Sequence, residues 1–304
     1  MPFKPSSEQL KLMPKFSEND IPRYLFRIHT PVTDGTTTTS YVISPASKGN
    51  APNASTDIFK ESPRKAGDLL WNHLKWKRGH ERTCNLTSWT SSLLFVLQYA
   101  FYRHKGADPK SELSNIQLMV LDTRGFPPGT FVKDMEIMRS IASELDKREK
   151  LCNFLQLREE PTSNGSLYYF GEYLSQGDLE LGGRCAEAPM DMLVYLGLFD
   201  LHPKLKEETG WYSWAKPVLA NRDPFTNLNF PPIHPPTDQR IVRKAIVIAS
   251  ACFGDRFAPP VALMLITLLP RRAEDPHIVD RVVAMFTSKR RAPFSLRVGP
   301  NANV

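Results

Sequence analysis

Residues 84–104 read CNLTSWTSSLLFVLQYAFYRH, and the fold of the chain turns on this stretch. Five hydroxyl side chains, Thr87, Ser88, Thr90, Ser91 and Ser92, crowd around the single Trp89. Leu93, Val96, Leu97, Ala100 and Phe101 then recur at i, i+3, i+4, i+7 and i+8, the spacing of one buried helix face. The stretch therefore predicts a short strand running directly into a core helix, with small polar groups at the rim of the core. Capping of the first helical turn by Thr90 or Ser91 explains one hydroxyl. Five ask for a second reason.

Composition frames that segment. The chain has 304 residues, 41% hydrophobic and 10% aromatic, which places it among folded proteins with a core to bury. Its net charge of +7 is mild and dispersed, so nucleic acid is permitted as a partner without being indicated. The opening MPFKPSSEQLKLMPKF has no apolar signal-peptide region, and the longest apolar run, Val261 to Leu269, is too short to cross a bilayer. Cys84, Cys152, Cys185 and Cys252 are scattered without a C-x-x-C pair and read as buried thiols. An intracellular protein, cytoplasmic or nuclear, with no membrane partner is the expectation.

Taken outward, the pattern predicts an α+β chain in five parts. Residues 1–20 read as a flexible arm, and 21–202 as an α+β domain. A Pro-rich linker or crossing loop follows at 203–236, then a helical subdomain at 237–288 and a basic tail at 289–304. Within the domain, Tyr24, Phe26 and Ile28 alternate with Leu25, Arg27 and His29 as a strand would, putting Arg27 and His29 on one face. Residues 44–57 read as a flexible loop, Pro63 to Arg78 as a helix and Ile116 to Asp122 as a buried strand. A helix is expected from Lys133 to Leu155, where Asp134 and Glu136 suit the first-turn dipole. Residues 166–177 read as an aromatic strand carrying Glu172, which either faces solvent on an edge or occupies a cleft. A helix over 188–198 follows. After Pro236, helical patterns around 241–249, 261–269 and 278–286 predict a small bundle.

Several chemistries are excluded. Neither G-x-G-x-x-G after a strand nor G-x-x-x-x-G-K-[ST] occurs, and there is no G-x-S-x-G elbow. No H-E-x-x-H is present, and His73, His80 and Glu81 are poorly spaced for zinc, so no metal is assigned.

What remains is an ordered set: an aromatic-Arg strand at Phe26-Arg27, clustered hydroxyls before a helix at Ser88-Trp89-Thr90, and Gly171-Glu172-Tyr173-Leu174-Ser175-Gln176-Gly177. With the intervening Leu118-Met119-Val120-Leu121-Asp122-Thr123, this order resembles the ADP-ribosyltransferase family of the cholera-toxin kind, over about residues 22–200. The chain is also similar to a fungal protein family carrying the segments around His80-Glu81-Arg82 to Phe95 and Gly171 to Gly177, a likeness that implies no activity. The toxin-like resemblance implies a split mixed or antiparallel sheet, here with an added C-terminal helical subdomain. It implies NAD as substrate, with mono-ADP-ribosyl transfer or NAD glycohydrolysis as the reaction. Glu172 would stabilise the ribosyl cation and Arg27 would clamp the diphosphate. Ser88 and Thr90, with Ser91 in an alternative register, would hold Glu172 and the ribose side. Tyr169 or Phe170 would stack on nicotinamide, and His29 would assist on the adenylate side. Phe170 stands where arginine-directed members of the family carry Gln or Glu, which argues for a protein or other acceptor that is not arginine. The alternative is an inactive scaffold of this fold, or an interaction module in which Glu172 makes a structural ion pair.

Overall fold

In the computed structural model, the residues described are 1–269 apart from 18, 19, 78, 80, 163, 164, 166 and 227–237. The chain starts with α1 (Ser7–Lys11), β1 (Tyr24–His29), β2 (Thr36–Thr37), β3 (Tyr41–Ile43), α2 (Pro45–Lys48) and α3 (Pro63–Leu74). The hydroxyl-rich stretch forms β4 (Leu86–Thr90) and α4 (Leu93–Lys105), followed by β5 (Gln117–Asp122), β6 (Val132–Lys133), α5 (Asp134–Ala142) and α6 (Lys150–Glu159). Then come β7 (Glu172–Gln176), β8 (Leu179–Glu180), β9 (Cys185–Pro189), α7 (Met190–Tyr195), α8 (Leu198–Leu201), α9 (Ala215–Thr226) and α10 (Gln239–Ile266). The fold is mixed α+β.

Six strands form one sheet in the order β6-β7-β4-β1-β5-β9, and β2-β3-β8 form a second. Every pairing is antiparallel. The large sheet has a weak seam. β1 runs beside β5 from Tyr24–Asp122 to His29–Gln117, and β4 beside β7 from Leu86–Gln176 to Thr90–Glu172. β1 and β4, by contrast, meet only at Phe26–Thr90. Beyond that point the sheet parts into two halves.

The cores follow the halves. Phe26, Ile28, Leu118 and Val120 pack with Leu97 and Phe101 of α4 and with Val242, Ile246 and Phe257 of α10. Leu86, Val132 and Leu174 pack with Leu70 of α3 and Met138 and Ile141 of α5. On the other face Leu25, Trp89, Met119, Leu121 and Tyr173 form a third cluster. The alternation expected for β1 therefore places Phe26 and Ile28 in a core.

Four expectations are corrected. The arm expected at 1–20 is packed down over residues 1–17: Phe3 and Met13 are buried, Phe3 N–H donates to Gly129 O, and Lys4 N–H donates to Asp57. Residues 44–57 contain α2, capped by Ser44. The helix expected over 133–155 is broken between α5 and α6, where Asp146 accepts from Arg148 N–H and its carbonyl from Glu149 N–H, a local turn that competes with helix. The segment 188–198 opens with the end of β9 rather than with helix. CAEAP is weak strand sequence on propensity, and pairing with β5 overrides it.

In the stretch expected as a linker, residues 203–226 hold two 3₁₀ turns and α9. α10 is continuous past the expected break at Pro259-Pro260 but is interrupted at Gly254, whose φ of 68° is left-handed. The two prolines come five and six residues after that break, beyond the orphan donors of the first turn, so each removes an intrahelical N–H donor. By length and composition α10 alone among the described residues would suffice to cross a membrane. Its buried face packs on the sheet core. The helix expected at 278–286 and the basic tail lie outside the described residues.

Candidate functional site

The seam between β1 and β4 opens into a cleft of about 850 Å³. Arg27 lies on one lip and Ser88 and Glu172 on the other, with His73 of α3 and Tyr99 of α4 among the residues that line it. Arg27 occupies the place where strand pairing stops. Its Nη1 donates to Ser88 O at 2.9 Å, while its Nε is buried with no partner among the described residues. Burial pushes the guanidinium down to about 10, which leaves it charged at neutral pH.

Ser88 and Glu172 are the centre of a chain of polar contacts. Ser88 Oγ donates to Glu172 Oε1 at 2.7 Å and lies 2.8 Å from His73 Nε2. Because the hydroxyl proton is directed at the carboxylate, Nε2 carries the proton of that second bond. His73 Nδ1 lies 3.1 Å from Cys84 Sγ. Burial lowers His73, but Cys84 and then Glu172 outweigh it, and its pKa is raised overall. Burial raises the Cys84 thiol, but His73 outweighs that effect and holds it below its usual value. On the far side, Glu172 Oε2 accepts from Arg158 Nη2 at 2.8 Å, and Arg158 also pairs with buried Asp134. Glu172 is thus oriented from both sides, with 17% of its side chain exposed to the cleft.

Aromatic rings wall the cleft. Phe95 stacks on Tyr99 and on Phe170, and Trp214 meets Phe95 and Phe170 edge-on. Trp76 tilts over Tyr99 and Trp214 at 5.0 and 5.4 Å and is 46% exposed. Its φ of 47° is unusual for a residue other than glycine.

Of the residues expected at the site, Arg27, Ser88, Thr90, Phe170 and Glu172 line this one cleft. Thr90 Oγ1 donates to Phe170 O and accepts from Ser92 N–H, so it fixes the turn rather than holding Glu172. Phe170 has Phe95 over its ring at 5.3 Å and the Arg222 guanidinium at 4.9 Å, contacts that compete with a stacked ligand. Three others do not line it. His29 bonds Glu187 at 2.9 Å, Ser91 is exposed against Gly171 O, and Tyr169 donates to the Glu172 carbonyl. The cap of α4 is Ser92, which accepts from Phe95 N–H, and not Thr90 or Ser91. His73, Cys84, Arg158 and Trp76 escaped the sequence-level assignment, because each reaches the site from outside the three motifs.

The pattern of a family described as a domain of unknown function, DUF7587, matches residues 20–175, just over half of the chain. The chain belongs to the DUF7587 family. That region runs from the approach to β1 to the penultimate residue of β7, and so takes in Arg27, His73, Cys84, Ser88, Arg158 and Glu172. No curated protein and no solved structure matches the chain.

Proposed function

We propose that this DUF7587 protein is an ADP-ribosyltransferase-like enzyme that takes NAD as substrate and cleaves its nicotinamide–ribose bond. The observation that carries this reading is the Ser88–Glu172 hydrogen bond facing Arg27 across one cleft. The strand order supports it as well. The glutamate strand β7 lies beside the hydroxyl strand β4, which meets the arginine strand β1 at a split. A volume of about 850 Å³ falls in the range of small-molecule and cofactor sites.

In this reading the C–N bond breaks with its electrons going to nicotinamide, leaving an oxocarbenium-like ribose. The Glu172 carboxylate, pre-oriented by Ser88 and Arg158, stabilises that charge and accepts from the ribose 2′-OH. Each carboxylate oxygen retains lone-pair capacity beyond the bond it already makes. Water then adds to the cation in glycohydrolysis, or an acceptor nucleophile does in transfer. Arg27, with a buried Nε in want of an acceptor, holds the diphosphate. Phe170, two positions before Glu172, has no hydrogen-bond acceptor for an incoming guanidinium, and its ring face is already taken by Arg222, so the acceptor is water or a group other than protein arginine.

One observation favours a second reading. The ion pair between Glu172 and Arg158 is the contact that an inactive scaffold of this fold would use structurally.

Titration of the protein with NAD by calorimetry tests the binding half. Arg27→Ala should weaken binding by about 1.5–3 kcal/mol, the scale of a lost charge-assisted contact. Equal affinity in wild type and variant would remove Arg27 from the site.

A further inference from the structure

A second concavity, of about 340 Å³, shares no lining residue with the cleft. Phe16, Ile21, Phe126 and Phe131 give it an apolar floor, while Lys15, Arg23 and Arg124 stand among its lining residues. Its cationic side continues into an arginine cluster. At the end of β5 the buried Asp122 has Arg124 Nη2 at 2.7 Å and Arg23 Nε and Arg256 Nη2 each at 3.8 Å. Arg184 closes the group: a Cβ on Gly125 would lie 3.8 Å from its Nε. Arg256 is tied in by a bond to Gly183 O at 2.6 Å. Four guanidinium groups thus come together from the approach to β1, the turn after β5, the β8–β9 turn and α10.

One carboxylate does not account for them. Arg124 takes both oxygens of Asp122 through Nε and Nη2. Separations of 3.8 Å are too long for hydrogen bonds, so Arg23 and Arg256 are drawn to Asp122 by charge while keeping donors to offer. The side chains of Arg23, Arg124 and Arg256 are 52%, 61% and 56% exposed, which leaves their forks open to a ligand. Gathering like charges costs energy, and a set of planar forks matches the geometry of phosphate oxygens.

We propose that this concavity is an anion site, separate from the cleft, for a small molecule that carries a di- or triphosphate on an apolar or aromatic body. The phosphates lie on Arg23 and Arg124, which line the concavity, and on Arg184 and Arg256 beside them; the body lies on Phe16 and Ile21, because the Arg184 guanidinium already covers the Phe126 ring at 4.6 Å. The inference stands independently of any reaction in the cleft.

Calorimetric titration with tripolyphosphate and with ATP at low salt tests it. Both should bind saturably, ATP more tightly because its base covers the floor, and added salt should weaken both. Made in an Arg27→Ala background, so that the diphosphate contact of the cleft is absent, the double variant Arg184→Gln/Arg256→Gln should lose affinity by tenfold or more. Arg124 is left intact, because its removal strands Asp122. An unaltered melting temperature without ligand verifies that the double variant is folded; were it unstable, Arg23→Gln provides the same comparison. Absence of saturable binding overturns the proposal. So does binding that survives the double variant in that background, or that is already absent from Arg27→Ala.

Discussion

Ser88 and Glu172 are joined by a 2.7 Å hydrogen bond although they are not cross-strand partners. Ser88 stands opposite Leu174, and Glu172 opposite Thr90. The bond is therefore a diagonal one between β4 and β7, on the face where β1 has already turned away. A strand-end carboxylate on an edge would be solvated and mobile. Here Ser88 and Arg158 hold it at the mouth of a cleft.

Gly171 sets the approach to Glu172. Its φ is 70°, and a Cβ there would meet Ser91 Oγ at 2.3 Å. Gly171→Ala should destabilise the protein by about 1–3 kcal/mol, since the left-handed backbone is strained for alanine. Adding Ser91→Gly should relieve the steric part and leave the backbone part. Chemical denaturation of the single and double variants measures both; a single variant as stable as wild type would contradict the account.

His202 makes the fold sensitive to acid. It is fully buried, neither ring nitrogen has a partner among the described residues, and burial pushes it down to about 4. The folded state thus resists a proton that the unfolded chain accepts near its ordinary pKa of 6.5. Stability should be intact above 6.5 and fall as pH drops towards 4, by about 3 kcal/mol in all. His202→Phe should flatten that slope in melts recorded from pH 7 to pH 4. An unchanged slope would show that other groups carry it.

Cys84 should be the most reactive thiol at neutral pH. His73 holds it below its usual value, whereas burial pushes Cys185 and Cys252 up to about 11. Thiolate is the attacking form, so iodoacetamide at pH 7 should label Cys84 first. His73→Gln should abolish that preference. Peptide mass spectrometry of a time course reads the order, and early labelling of Cys185 or Cys252 would refute it.

The sequence discloses the frame of this fold more readily than its site. β1, β5 and α4 are legible because Tyr24-Leu25-Phe26-Arg27-Ile28-His29 alternates, Leu118 to Leu121 is continuously apolar, and Leu93 to Phe101 keeps helical spacing. The break after α5 contains a turn in which Asp146 accepts from Arg148 N–H, and no apolar periodicity records that. The site is half legible. Arg27, Ser88 and Glu172 stand in strands whose order can be read. His73 reaches Ser88 from the end of α3, and Arg158 reaches Glu172 from the last turn of α6, so only packing brings them there. The buried state of Asp134 and Glu136 was hidden for the same reason. Their first-turn placement satisfies the helix dipole, while Asp134 is also the counter-ion of Arg158 and Glu136 that of Arg139.

Nicotinamide release from NAD by wild type and Glu172→Gln tests the central claim most directly. The amide keeps the shape of the side chain and removes the negative charge that meets the ribosyl cation. Wild type should release nicotinamide, with no stimulation by an arginine analogue, and the variant should be slower by about 10²–10³-fold, the scale of one pre-organised electrostatic group. Release that survives in Glu172→Gln would contradict the site, and no release from wild type under any condition would leave the cleft to an inactive scaffold.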